Sequence, residues 1–421
     1  METTTASKKD QLLGQLRTRP SALSETFPEL ALAAREALTE LDFPTTRQEN
    51  WKYSRTTKLS SEEWTIQPSE ANISLNEWRI PGLDAIELVW VNGFFRADLS
   101  STEIPAGLSI GKPAPHTIRH KEEVTMDFFS ALHEVHCTDA LAIRAEKSKK
   151  IEKPVHVLFI QHGALPLSQP HLFLETAELA ELEVIVSFVS VDGEKALCNA
   201  VIEGNAGKSS KLTCTLIERE GEQNALICRS LYSIERDAVF HIHTHTISGN
   251  WVRNDLHIRL NGTGINAFLN GIYLPRESQH IDNHTLVDHR HPHCESNELY
   301  KGVLNDRGRA VFNGKVYVQI DAQKTNAYQN NANIMLSDDA SVYTKPELEI
   351  YADDVKCSHG STTGQLDEQA IFYLRARGLG EDNARRLLTT AFILEVLDRL
   401  ESEPVKEYVV ELLKKEDLLL D

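Results

Sequence analysis

A mainly β protein with helical flanking regions is the fold class that the sequence predicts, and three observations predict it. Between about residues 140 and 355, short β-type runs follow one another, punctuated by Gly, Asn and Asp. No convincing amphipathic helix interrupts them, which excludes a doubly wound α/β fold, because parallel strands there need crossover helices. The segments on either side carry helical spacing instead. A sandwich, a barrel and a β-helix remain. The stretch is long for one sandwich and suits a solenoid whose coils stack on their neighbours. No strict repeat is visible, so periodicity ranks the β-helix first without deciding it. The chain accordingly divides into an N-terminal, mainly helical region at 1–139, a β core at 140–364 and a C-terminal helical domain at 365–421.

In chain order, SETFPELALAAREALTEL (24–41) has helical spacing behind a capping Ser24. FPTTRQENWKY (43–53) breaks it with a proline and ends in aromatics. IELVWVNGFFRADL (86–99) reads as two strands joined at Asn92-Gly93, a strong hairpin signal. Runs such as PVHVLFI, LEVIVSFVS, KLTCTLIE, AVFHIHTHTI and RAVFNGKVYVQI make up the β core. LDEQAIFYLRARGLG then has acids in its first turn, Arg375 and Arg377 in its last, and Gly378 as C-cap. EDNARRLLTTAFILEVLDRLES carries an apolar stripe from Ala384 through Leu388 and Phe392 to Leu400. PVKEYVVELLKKE follows, with Pro404 allowed in a first turn.

Composition narrows the function classes. A formal net charge of −18 argues against nucleic acid as the main ligand. No apolar run approaches 18 residues, so no membrane span is expected, and the N-terminus lacks the apolar core of a secretory signal. The 6 cysteines, at 137, 198, 214, 228, 294 and 357, form no Cys-x-x-Cys pair. A disulfide framework and a four-cysteine zinc site are both unsupported, and a reducing cytoplasm is the expected location.

GNAGKSS (204–210) ends like a phosphate loop, but Gly204 and Gly207 are too close for that motif, and no strand-then-helix context surrounds them. It reads as a surface turn. Histidine is in excess, with 17 residues. HIHTHT puts His241, His243 and His245 on one face of a strand. HIDNHTLVDHRHPHC adds His280, His284, His289, His291, His293 and Cys294. Each group could bind a metal or could be a hydrogen-bonded ladder on a sheet face. Cys357 and His359 in KCSHGST share one face of an extended segment. Two ligands cannot complete a four-coordinate site, so the pair is either incidental or half of a site finished elsewhere.

FPTTRQENWKYS, VWVNGFF, the long stretch from HIDNHTLVDHRHPHC to NANIMLS, and PELEIYADDVKCSHGSTTGQLDEQAIFYLRARGL together resemble the SufB/SufD family of the SUF iron–sulfur cluster assembly system. The SHGST wording favours the SufD branch. The resemblance implies a right-handed parallel β-helix core with flanking helical domains. It implies a non-catalytic scaffold that pairs with SufB through the β-helices, while the SufC ATPase docks on the C-terminal helices and supplies ATP hydrolysis. A nascent iron–sulfur cluster would form transiently at the SufB interface, with none expected on the isolated chain. His359, with Cys357 beside it, is the implied cluster position; His289, His291, His293 and Cys294 are a secondary candidate set. A homodimer stays open, and no flavin site is carried over. The competing reading is a stand-alone, histidine-ligated metalloenzyme with a β core.

Overall fold

The structure is a computed structural model and describes residues 8–16, 21–115, 117 and 126–419. Its strands form two sheets, and successive long strands are dealt alternately to one sheet and then the other. The first sheet takes Lys211–Arg219, Val239–Ser248, Asn266–Tyr273, Glu295–Leu304, Asn326–Met335 and Lys356–Gly364. The second takes Ala225–Ile234, Trp251–Leu260, His280–His289, Arg309–Val318 and Ser341–Ile350. All these neighbours are parallel, so the core is a parallel β-helix. Leu212 pairs with Phe240, Ala267 is next in that row, and Ser296, Ala327 and Cys357 follow, which gives about 30 residues per coil.

Repetition shows in the backbone where the sequence hides it. Ser148, Leu179, Ser209, Asp237, Gly264, His293 and Lys324 all have positive φ and stand one coil apart. Each turns the same corner. The amides of Leu179, Ser209 and His293 bond to the carbonyls of Lys208, Arg236 and Gln323, each one coil further on. GNAGKSS is therefore a strand end followed by a corner, with its backbone committed to neighbouring coils.

Alternation sends every second side chain inward. The row Val184, Cys214, Ile242, Leu269, Glu298, Gln329, His359 lies in register along the first sheet. It begins apolar and turns polar towards the last coils. Tyr300 and Tyr273 fit inside because Gly271 and Gly302 lack a Cβ, which would stand 2.3 Å from their rings. Tyr273 Oη donates to Asn333 Oδ1 (2.5 Å) and accepts from Asn331 Nδ2 (2.8 Å). Gln329 Nε2 donates to Glu298 Oε2 at 2.7 Å.

Helices cover the outer faces. Ile393, Val396, Val405, Val409 and Leu412 of Glu381–Leu397 and Glu403–Lys415 pack on Ile217, Ile247, Ile272 and Leu299 of the first sheet. Phe128 and Phe129 of Phe128–His136 pack with Trp51, Ile227 and Trp251 over the second.

Two expectations change. The helix expected from Ser24 runs from Pro28 to Glu40 without a side-chain cap, because Pro28 fixes the first turn and holds Phe27 outside the helical region. The region before residue 139 is also less helical than expected. Its strand Ile86–Val91 pairs in parallel with Val155–Gln161, and Leu108–Gly111 runs antiparallel to Asp139–Ala145. The Asn92-Gly93 hairpin forms as read, with both residues at positive φ.

Burial raises the Glu298 carboxyl to about 7 from its ordinary 4.5, against the opposing hydrogen bond from Gln329. Folded chain thus holds this proton across a pH range in which unfolded chain has released it. Its contribution to stability is complete below 4.5 and is lost as pH rises through about 7. Glu298→Gln should leave stability near the wild-type value at pH 4.5 and raise it by roughly 1–3 kcal/mol at pH 8. Urea midpoints at the two pH values measure this; an equal shift at both would contradict it.

Candidate functional site

The last coil, Ser341–Ile350 and Lys356–Gly364, ends both sheets, and among the described residues no strand pairs with its outer edges. Its inward side chains consequently lie at an open mouth. Cys357 is half-buried, opposite Ala327 and against Val316, Val318 and Ala352. Burial raises its thiol above the ordinary value, so the free side chain is held as the neutral thiol. His359 stands in register with Gln329 and is exposed. Ser361 and Thr344 hydrogen-bond across the mouth from one sheet to the other. Asp354 is committed elsewhere: its carboxylate pairs with Lys324 Nζ at the preceding corner. Around the mouth, Ile320, Tyr328, Ile350 and Tyr351 are exposed.

The other sequence candidates do not converge. His241, His243 and His245 form a stack on the outer face of the first sheet, with ring centroids 6.3 and 6.1 Å apart. Such spacing suits a ladder and cannot place three nitrogens on one ion with bonds near 2 Å. Burial holds His245 down to about 3 and His243 well below its usual value, so both are neutral. His289 faces inward and hydrogen-bonds Ser296 Oγ at 2.9 Å. His291 and His293 are exposed, and the latter is a corner residue. Cys294 is buried and donates to the Gly262 carbonyl at 3.1 Å. The set His289, His291, His293 and Cys294 is thus scattered over the inside, the outside and a turn.

Two family models match the chain. One is described as the SufBD core domain of SUF system FeS cluster assembly and covers residues 159–392. The other, the SufBD protein N-terminal region, covers 21–157. The chain belongs to the SufBD family. It is 29% identical over 384 residues to the iron-sulfur cluster assembly protein SufD of Escherichia coli (strain K12), covering 89% of each chain. It is 36% identical over 285 residues to an iron-sulfur cluster assembly SufBD family protein of Mycobacterium leprae, covering 66% of this chain and 72% of that one. A Synechocystis SufBD family protein is 27% identical over 392 residues, with 87% and 86% covered.

In this SufBD chain the NWKYS segment explains His280 and His284. Ser54 Oγ donates to the Asp282 carboxylate and lies 2.7 Å from His280 Nε2. With its one proton committed to Asp282, Ser54 must accept from His280. The polarity is opposite to that of a serine nucleophile, whose histidine accepts. Arg253 lies 4.0 Å over the Trp51 ring and donates to Asn50 O (2.9 Å) and Asp282 Oδ2 (2.7 Å). Burial pushes Asp282 up, but His284 and Arg253 outweigh it and hold the carboxyl well below the usual range. This network anchors the N-terminal segment to the second sheet. Asp282→Asn should cost about 3 kcal/mol and expose residues 45–60 to limited proteolysis. Unchanged cleavage kinetics would show that the segment is held by its aromatics alone.

Proposed function

We propose that this chain is the SufD-type scaffold of a SufB–SufC–SufD assembly, with the open mouth of its β-helix as its half of a cluster-forming site. The observation that carries the reading is the uncapped last coil. There two neighbouring inward rows that are buried in every earlier coil reach the open end, and they present a half-buried Cys357 and an exposed His359. A thiol and an imidazole suit iron and sulfide chemistry once the thiol is deprotonated. They supply two ligands, so the remaining ones come from the partner. Unpaired parallel edges beside exposed Tyr328, Ile350 and Tyr351 suit pairing with a second β-helix, the role expected of SufB. The cluster is cargo, made at the shared mouth and passed on. A cytoplasmic location fits this role, and no helix among the described residues is long and apolar enough to cross a membrane.

The tail divides its labour. The stripes of Glu381–Leu397 and Glu403–Lys415 are consumed by packing on the first sheet. The helix Glu368–Ala376 instead leaves Phe372 73% and Tyr373 55% exposed, which makes it the proposed dock for SufC. The GNAGKSS corner offers no nucleotide cradle, consistent with hydrolysis residing in that partner. The buried histidine stack gives the metalloenzyme reading no ligand set.

Co-purification with SufB and SufC, followed by anaerobic reconstitution of the complex and of this chain alone, tests the whole reading. Cluster should form on the complex. His359→Ala should lower its yield by roughly tenfold or more, since even outer-shell partners of a metal are worth about that. Thermal unfolding should shift by no more than about 0.5 kcal/mol. Cys357→Ser should act more weakly. Wild-type yield from the His359 variant would refute the assignment.

Phe372→Asp combined with Tyr373→Asp should weaken SufC capture by at least 2 kcal/mol, roughly 30-fold, and leave SufB pairing intact. Undiminished SufC capture in a pull-down would move the dock elsewhere on the tail.

A further inference from the structure

A second histidine–cysteine cluster lies far from the mouth. His133 and Cys137 stand four residues apart at the C-terminal end of Phe128–His136, and Cys137 caps that helix. His171 rises from Pro170–Thr176, on the outer face of the second sheet beneath the helix. One ligand atom from each lies within 4.8 Å of the others, and all three residues are buried. Among the described residues it is the one group of three such side chains whose ligand atoms gather.

The outer nitrogens determine what the inner ones can do. His133 Nδ1 lies 2.9 Å from the backbone oxygen of Asn199, which can only accept. That nitrogen therefore carries the proton, and Nε2 presents a lone pair. His171 Nε2 lies 3.2 Å from Glu203 Oε1. This is an ion-pair contact rather than an aligned hydrogen bond, but a proton held on Nε2 by the neighbouring carboxylate leaves Nδ1 with a lone pair as well. The two inner nitrogens face each other at 3.1 Å. Metal-bound histidines are arranged in this way, with the second N–H donated to a carboxylate or a backbone carbonyl. Around a tetrahedral ion with bonds near 2.0–2.1 Å, two nitrogens stand about 3.3 Å apart. The observed gap needs to open by only a few tenths of an ångström.

Charge agrees with this. The Cys137 thiol donates to the Asp139 carbonyl at 3.4 Å; on binding a metal it would release that proton, and the thiolate and the Glu203 carboxylate would then bring two negative charges among neutral imidazoles. A divalent cation makes the buried group neutral overall, which the interior requires. The carboxyl end of the helix points its negative pole at the same place. We propose that His133, Cys137 and His171 bind one thiophilic divalent cation of the zinc class, with a water molecule completing the four-coordinate shell and Glu203 and the Asn199 carbonyl as outer partners. The ion staples Phe128–His136 to the wall of the β-helix. It is distinct from the transient cluster and does not depend on that reading.

The test is metal uptake by the full-length chain, unfolded and refolded anaerobically with Zn²⁺, with Co²⁺, or with chelator. The wild type should retain one equivalent of metal after gel filtration. Its cobalt form should show a thiolate-to-metal absorption band in the near ultraviolet, and its thermal midpoint should exceed that of the chelator-refolded sample. Cys137→Ser should lose the band. His171→Gln should lose the metal, and Glu203→Gln, which keeps the shape of the site, should weaken uptake by about 10- to 100-fold. A refolded wild type that holds no metal, or a Cys137→Ser protein with an unchanged cobalt spectrum, would overturn the proposal. The contact would then be a proton-sharing chain from Glu203 through the two imidazoles.

Discussion

A parallel β-helix satisfies each coil's backbone only by adding another coil. Every strand of the core bonds to the strand one coil before and the strand one coil after, and the last coil has no successor among the described residues. That single debt organises the molecule. It leaves two strand edges and one cross-section of the interior open at the end of the solenoid, and it explains why side chains that would be core residues in any earlier coil are accessible there. Among the described residues, the helices do not close this end. They cover the flat outer faces, where the apolar residues of each sheet would otherwise meet water.

The interior is graded to match. Coils near the N-terminal end are filled with Val, Ile, Leu and Phe, whereas the later ones hold Glu298, Gln329, Asn331 and Asn333 bonded to one another and to tyrosines. Polar groups inside a solenoid are tolerated chiefly when they bond together; the amide and hydroxyl network does much of this and leaves Glu298 Oε1 and Gln329 Oε1 without a hydrogen bond. The same in-register stacking that makes a hydrophobic row in one part of the core therefore carries a polar row to the mouth. His359 is the next member of a column that begins at Val184, and only its position at the end leaves it exposed.

Much of this was legible in the sequence. The absence of helical spacing between 140 and 355, the Asn92-Gly93 turn and the Gly378 cap all act locally, and local patterns survive in sequence. Cys357 and His359 could be paired because strand alternation is a short-range rule. Other features required knowledge of what meets what across a coil. His241, His243 and His245 look like ligands until the tail is seen lying over them. His280 looks like a ligand until Ser54, 226 residues away, is placed beside it. The scatter of His289, His291, His293 and Cys294 follows from a corner whose left-handed residue is an ordinary histidine rather than glycine or asparagine. His133 and Cys137 have a ligand-like spacing on a helix, but His171 joins them only through the register of a strand 38 residues away.

The strand that ends at Gly364 and the helix that begins at Glu368 are nearly contiguous. Of the residues between them, Leu366 is buried with Ile371 and Ala384, and Asp367 caps the helix by accepting from the Gln369 amide. Such a connection has no slack. It works as a stiff crank, with the helix bearing Phe372 and Tyr373 as its handle and the edge strand bearing His359 as its shaft. Were a partner to grip the handle, any torque it applied would have only this short connection to cross before it reached the final strand at the open rim of the solenoid.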